Sequence, residues 1–268
     1  MNRQAVNPYL PSWEYIPDGE PHVFNGRVYV YGSHDRFNAP IFCVNDYVCW
    51  SAPVEDLSEW RYEGVIYRKK QDPKNPLGYH LLFAPDVCQG PDGRYYLYYA
   101  FDFLGIMSVA VCDTPAGEYK FLGHIHYADG TLWGRRRGDQ LPFDPGVLVD
   151  DDGRVWLYSG FYNAVPAILT GGHKLRCDGG TVLELEKDMV TIKTEPRVIF
   201  PKKGPGAFQG HEFFEASSIR KEGKTYIFVY SSRHNHELCY ATSQSPDRDF
   251  SYGCLLYTSP SPRDGATS

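Results

Sequence analysis

Asp152-Gly153-Arg154-Val155-Trp156-Leu157-Tyr158-Ser159-Gly160 reads as a tight turn followed by a strand. Asp-Gly supplies a backbone position that tolerates positive φ, and the β-branched and aromatic run behind it suits a pleated, packed surface. The phrase recurs. Gly26-Arg27-Val28-Tyr29-Val30-Tyr31-Gly32, Asp92-Gly93-Arg94-Tyr95-Tyr96-Leu97-Tyr98-Tyr99 and Glu222-Gly223-Lys224-Thr225-Tyr226-Ile227-Phe228-Val229-Tyr230 have the same character. The turn glycines 26, 93, 153 and 223 are spaced by 67, 60 and 70 residues. Further apolar runs, Val48 to Pro53, Ile106 to Cys112 and His236 to Thr242, fill equivalent slots. Each unit therefore offers about four strands that cannot bury both faces alone, which reads as a propeller blade. Helical periodicity is absent, and 20 Pro and 26 Gly would interrupt most helices. The expected fold is all-β, a five-bladed β-propeller. Four blades are legible, and the fifth is expected past Gly253.

Four acids keep the same register. Asp18, Asp86, Asp144 and Glu215 precede their turn glycines by 8, 7, 9 and 8 residues. Equivalent positions of successive blades point at the propeller axis, so the register converges these carboxyls on one hub pocket. Like charges held together raise one another's pKa, and burial adds to the effect. Taken singly, Asp18 before Gly19 and Asp144 before Pro145-Gly146 are plausible turn residues. Asp86 in Phe83-Ala84-Pro85-Asp86-Val87 suits a loop-holding hydrogen-bond role. Glu215, in Phe213-Phe214-Glu215-Ala216-Ser217, is the least turn-like. The shared phase favours chemistry for Asp18, Asp144 and Glu215.

Composition bounds the rest. Lys and Arg number 27 against 33 Asp and Glu, a net charge of −6, which argues against a nucleic-acid surface. Arg135-Arg136-Arg137, between Gly134 and Gly138, reads as a solvated loop. Aromatics make up 15% of the chain, with 21 Tyr, in keeping with sheet and with sugar-facing rings. The seven Cys (43, 49, 88, 112, 177, 239 and 254) show neither metal-site spacing nor a disulfide framework, and read as reduced thiols. No apolar run is long enough to span a membrane, and Met1 to Pro8 lacks the apolar core of a secretory signal, so a cytoplasmic location is expected. The last stretch, CLLYTSPSPRDGATS from Cys254 to Ser268, departs from everything before it. It resembles the translation of a sequencing adapter. The expected organisation is a catalytic domain over 1–253, lacking its last blade, with 254–268 not native.

The acid blocks resemble those of glycoside hydrolase family 43, five-bladed propeller enzymes acting on xylose- and arabinose-containing glycans. The resemblance runs over residues 7 to 253. Asn7-Pro8-Tyr9-Leu10-Pro11 through Pro17-Asp18-Gly19 is similar to the family's opening block, Phe83 to Val87 to its second-blade motif with Phe where Trp is usual, and Phe143-Asp144-Pro145-Gly146-Val147 to its third. Phe214-Glu215-Ala216-Ser217-Ser218 is similar to the block of the general acid, with Ser217 where Pro is common. The resemblance implies an inverting mechanism with Asp18 as general base, Glu215 as general acid and Asp144 as an ionised group that holds the Glu215 pKa up. It implies an oligosaccharide substrate, no nucleic-acid or membrane partner and no required cofactor, and it leaves room for a structural calcium at the hub. Trp13, Phe37 and Phe83 are candidates to line the sugar subsite, His34 to donate to a sugar hydroxyl, and Asp86 to complete the substrate-binding set. His211 and the run His234-Asn235-His236 have no carboxylate at helical ligand spacing, so no metal is expected there. Two alternatives share these features: a propeller that binds glycans without catalysis, and a five-bladed glycosidase for another sugar. The opening Pro17-Asp18-Gly19 is unlike the Asn-Asp-Pro-Asn-type block of retaining fructosidases.

Overall fold

The computed structural model describes residues 8–201, 208–234 and 236–257. Asn7, Asn235 and residues 258–268, which figure in the sequence motifs, lie outside them. Sixteen strands form four sheets of four among the described residues. The first holds β1 (Glu20–Phe24), β2 (Arg27–Tyr31), β3 (Tyr47–Pro53) and β4 (Arg61–Tyr67). The second holds β5 (Asp86–Gln89), β6 (Tyr95–Ala100), β7 (Met107–Cys112) and β8 (Lys120–His124). The third holds β9 (Gly146–Val149), β10 (Val155–Phe161), β11 (Gly179–Leu185) and β12 (Arg197–Pro201). The fourth holds β13 (Phe213–Glu222), β14 (Thr225–Ser232), β15 (Leu238–Ser243) and β16 (Ser251–Tyr257). Every neighbouring pair is antiparallel in chain order, so each sheet is a meander and one propeller blade. Lys69–Gln71 forms a single 3-10 turn, and no α-helix occurs among the described residues.

The repeated turn phrase folds the same way twice over. In the second blade Gly90 N–H donates to Arg94 O at 2.8 Å, Gly93 N–H to Gly90 O at 2.9 Å, and Arg94 N–H to Asp92 Oδ1 at 3.1 Å. In the third, Asp150 N–H donates to Arg154 O at 2.8 Å, Gly153 N–H to Asp150 O at 2.8 Å, and Arg154 N–H to Asp152 Oδ1 at 3.0 Å. Gly93 and Gly153 sit at φ 82° and 77°, where an added Cβ would meet no atom within 4 Å. The backbone conformation, not space, selects glycine at both.

Three interblade cores weld the four sheets. Tyr29, Tyr31, Tyr47 and Tyr67 of the first blade pack on Val87, Leu97 and Tyr99 of the second. Tyr96, Tyr98 and Val109 of the second pack on Val147, Leu157 and Leu183 of the third. Trp156, Tyr158 and Phe200 of the third pack on Phe213, Phe228 and Tyr230 of the fourth. Each fully buried ring of this kind contributes about 1.5–3 kcal/mol of transfer free energy. Both faces of β6, β10 and β11 are consequently buried at every position.

The fourth blade differs. Along β14, Tyr226, Phe228, Tyr230 and Ser232 are buried while Thr225, Ile227, Val229 and Ser231 on the opposite face are only half-buried. Leu238 on β15 is exposed beside them. The first blade's equivalent face is better covered than its position at the open side suggests. Tyr9 packs on Trp60 at 4.8 Å, Trp13 on Trp50 at 5.9 Å, and Trp50 Nε1 donates to Glu14 at 2.8 Å. The two blades meet at the hub, where Ser218 Oγ donates to Glu20 at 2.8 Å and Arg220 pairs with Glu20 and donates to Pro21 O at 2.7 Å. Outside that contact a cleft of about 570 Å³ opens between them, lined by Pro17 to Pro21 on one side and Ser217, Val229 and Leu238 on the other. β16 runs past Gly253, with Cys254 opposite Tyr240 and Leu255 opposite Cys239. A free sheet edge pairs with backbone, not with particular side chains, so this pairing carries no information about the origin of those residues.

Candidate active site

The four phased acids all lie at the starts of innermost strands. Asp18 is two residues before β1, Asp86 is the first residue of β5, Asp144 is two residues before β9, and Glu215 is the third residue of β13. Three of them, Asp18, Asp144 and Glu215, line one cavity of about 260 Å³. That is just below the usual range of about 300–1,000 Å³ for ligand clefts and suits a single small ring.

Local backbone strain aims two of these acids. Asp144 (φ 44°) and Ala216 (φ 61°) are non-glycine residues in the left-handed region, which costs of order 1–3 kcal/mol each. The register of β13 against β14 shifts on both sides of Glu215, a bulge that re-aims the side chain. Asp144 accepts a hydrogen bond from Ala216 N–H at 3.1 Å, tying the two strained segments together. Gly146 lets β9 pass close by, since a Cβ there would lie 2.6 Å from Ser217 O.

The opposite wall is aromatic: Phe42, Phe83, Phe103, Phe143 and Phe161 line the cavity. Their rings interlock, Phe83 edge-on to Phe143 at 5.6 Å and Phe143 against Phe161 at 4.7 Å. No Lys or Arg is among the described lining residues, and His236 Nδ1 lies 3.7 Å from Glu215 Oε1. Carboxyls set against hydrocarbon favour the protonated form. Burial raises the Glu215 pKa to about 7, with the charge of Asp18 adding to it. Asp144 is raised well above the usual carboxylate range, first by burial, then by Glu215 and Asp18, against one opposing N–H donor. Asp18 is raised too, chiefly by burial; the hydroxyl of Ser33, which donates to it, pulls the other way, and the charge of Asp35 raises it further. The raised direction at Asp144 runs against the expectation that it stays ionised beside Glu215. Asp144 is the most buried of the three, while Asp18 is open to solvent on one side and accepts from the Ser33 hydroxyl.

Of the other expected site residues, Phe83 lines the cavity and four do not. Trp13 lies on the outer face of the first blade against Trp50, 64% exposed. Phe37 is 69% exposed and stacks on Tyr15 at 6.1 Å. Both nitrogens of His34 are engaged, Nε2 with Glu14 at 2.9 Å and Nδ1 with Asp46 O at 2.9 Å. Asp86 is buried in the hub, where Oδ1 meets His22 Nε2 at 2.6 Å and Oδ2 accepts from Val147 N–H at 2.6 Å. It holds the first three blades together instead of facing the cavity.

Glu20, His22 and Asp86 do converge near the axis. They do not fit a calcium, which takes six to eight oxygens. Glu20 is paired with Arg220 and Ser218, and Asp86 is saturated by His22 and two backbone N–H groups.

Sequence reasoning missed Asp35, Phe42, Cys43, Phe103, Phe143 and Phe161 as cavity residues. Phe143 was within reach, because it directly precedes Asp144. Phe103, in the turn after β6, and Phe161, the last residue of β10, belong to different blades and carried no local signal. Cys43 is a buried thiol pushed up to about 12, first by burial, against a Ser33 hydrogen bond, with Asp18, Asp35 and Asp144 adding. It is a wall atom, not a nucleophile.

The family model described as "Glycosyl hydrolases family 43" matches residues 17–252. A "Xylosidase/arabinosidase" of Thermoclostridium stercorarium is 60% identical over 260 residues, 96% of this chain. The chain spans 53% of that relative's length. A "Xylosidase/arabinosidase" of Bacteroides ovatus is 31% identical over 278 residues, covering 93% of this chain and 80% of the relative. Among solved structures, a GH43 beta-xylosidase/alpha-arabinofuranosidase from a compost microbial metagenome superposes with a TM-score of 0.71 at 28% identity, covering 94% of this chain and 81% of that one.

Proposed function

Because the chain belongs to glycosyl hydrolase family 43, we propose that it is the catalytic part of a glycosidase that cleaves xylosidic or arabinofuranosidic bonds of plant-type oligosaccharides with inversion. The observation that carries this reading is the meeting of Asp18, Asp144 and Glu215 on one phenylalanine-walled cavity. Similar relatives bear the name xylosidase/arabinosidase, which supports the substrate class.

The three acids divide the work by environment. Glu215, with a pKa of about 7, holds a proton to give to the leaving oxygen. Asp18, steadied by the Ser33 hydroxyl, takes a proton from the attacking water. Asp144 fixes the Ala216 backbone and thereby the direction of Glu215. In one turnover the glycosidic C–O bond breaks as the Glu215 proton moves to the departing oxygen. Water adds to the anomeric carbon from the other face and leaves its proton on Asp18. A cavity of carboxyls and phenylalanines, with no Lys or Arg among its described lining residues, favours neutral, hydroxyl-rich ligands over anionic ones.

Two measurements test this. Proton NMR of the first sugar released should show the anomer opposite to that of the substrate; early release of the same anomer would exclude inversion. The pH profile of kcat/KM should be a bell. Activity needs Glu215 protonated, so it is lost as pH rises through about 7. It needs Asp18 ionised, and the Asp18 pKa is raised, so the acid limb lies above the ordinary carboxylate value of about 4. A basic limb unchanged in Glu215→Gln would remove Glu215 from the acid role.

A further inference from the structure

We infer that His211, Glu237 and Cys239 form a site for a zinc-type divalent cation on the fourth blade, outside the candidate active site. Glu237 Oε2 lies 3.1 Å from His211 Nδ1, Cys239 Sγ lies 4.0 Å from the same nitrogen, and all three donor atoms fall within 4.8 Å of one another. In a tetrahedral zinc site with ordinary bond lengths these edges are about 3.3–3.6 Å. The N–O edge is already close to this, and the sulfur has to approach, by about half an ångström toward Nδ1, for the three to share one ion.

The present arrangement leaves the cluster with a conflict. A single Nδ1 faces two partners and has one proton position. Carrying the proton, it bonds Glu237 and meets the buried Cys239 thiol only at 4.0 Å, the thiol lying also 4.0 Å from Tyr252 Oη and beside the Tyr230 and Ser232 side chains. Without it, a bare nitrogen lies against the carboxylate. A cation accepts one lone pair from each group and removes both problems. Binding displaces the thiol proton, and the Nδ1 proton where present, to solvent.

The donors are pre-positioned. The His211 ring stacks on Tyr252 at 4.7 Å and 8°, His211 N–H donates to Phe208 O at 2.9 Å, and His211 O accepts from Tyr230 Oη at 2.6 Å. Cys239 is held in β15 between Tyr230 and Leu255, and Glu237 O accepts from Ser232 N–H at 2.8 Å. His211 and Glu237 reach the surface, which leaves a fourth position for water. Nitrogen, oxygen and thiolate together select zinc-like ions over calcium or magnesium. The three donors come from the turn before β13 (His211), the β14–β15 connection (Glu237) and the start of β15 (Cys239). A bound ion would clamp these two segments, each of which borders Glu215.

The test uses the 268-residue chain with Cys112→Ser and Cys254→Ser, which removes the less buried thiols outside the cluster. After metal stripping, Co²⁺ titration should give about one equivalent per chain, with visible bands of a tetrahedral ion and a near-ultraviolet thiolate charge-transfer band that Zn²⁺ bleaches. Cys239→Ser should abolish the charge-transfer band, and Glu237→Gln should weaken binding at least tenfold. Absence of the charge-transfer band in the folded parent, or its persistence in Cys239→Ser, overturns the site. Should Cys239→Ser fail to fold, Glu237→Gln decides: unchanged stoichiometry and affinity there overturn it equally.

Discussion

Glu215→Ala and Asp18→Ala are each expected to remove most hydrolysis of a xyloside or arabinofuranoside, a loss of roughly 10²–10⁴-fold in kcat/KM. The two losses should differ in kind. Protonation of the leaving oxygen matters most when the leaving group is a poor one, such as an alcohol or a second sugar. Glu215→Ala should therefore be severe on such substrates and mild on an aryl glycoside with an acidic phenol. Asp18→Ala removes activation of water, which every substrate needs, so its loss should be similar across leaving groups. Neither acid is in a hydrophobic core cluster, so the fold should be retained. The measurement is best made on a chain in which residues 254–268 are replaced by further sequence of the longer Thermoclostridium stercorarium relative, of which this chain spans 53%. Equal losses across leaving groups for Glu215→Ala would move the acid role elsewhere. Intact hydrolysis in both variants would take the chemistry away from these two acids, and glycan binding without hydrolysis by the unsubstituted chain would leave a glycan-binding propeller as the better reading.

The 268-residue chain itself is expected to self-associate and to have little activity. The reason is the alternation along β14, where one face packs on the third blade and Ile227 and Val229 on the other are half-buried beside exposed Leu238. A contiguous apolar sheet face of this sort is an association surface. The first blade contributes less to it, because Tyr9, Trp13 and Glu14 already cover Trp60 and Trp50. The same cleft leaves Asp18 and Ala216 open to water on the side where a further blade would stand, which weakens the electrostatics of the site. Size-exclusion with light scattering should show oligomers at micromolar concentration. Val229→Lys, which places a charge on the open face, should shift them toward monomer without restoring activity. Adding that further sequence of the relative should restore both. A chain that is monomeric, cooperatively folded and fully active as it stands would refute the open-face explanation.

The blade repeat was legible because it rests on local physics. A turn that needs positive φ selects Gly at positions 93 and 153, and the strands behind it select β-branched and aromatic residues wherever they lie in the chain. The phase of the acids was legible for the same reason, since it is a count along the chain from each turn. That count placed Asp18, Asp144 and Glu215 correctly at one cavity and Asp86 wrongly, because His22 and the Val147 N–H draw its carboxylate into the hub. Those partners lie 64 and 61 residues away from it. The aromatic wall was missed for a related reason. Phe37 and Trp13 sit in sequence where a subsite residue could be, but the rings that line the cavity come from loops and strand ends of three different blades.

Sequence alone thus determined what depends on neighbours in the chain: the turns, the strand periods, the blade count and the order of the acids. Only the tertiary structure decided what depends on distance through space. It set which carboxyl lies deepest, which histidine meets Glu237 and Cys239, and which blade face is left without a partner. Burial and charge–charge interaction depend on atoms a few ångströms away, and in a propeller most of those atoms belong to another blade.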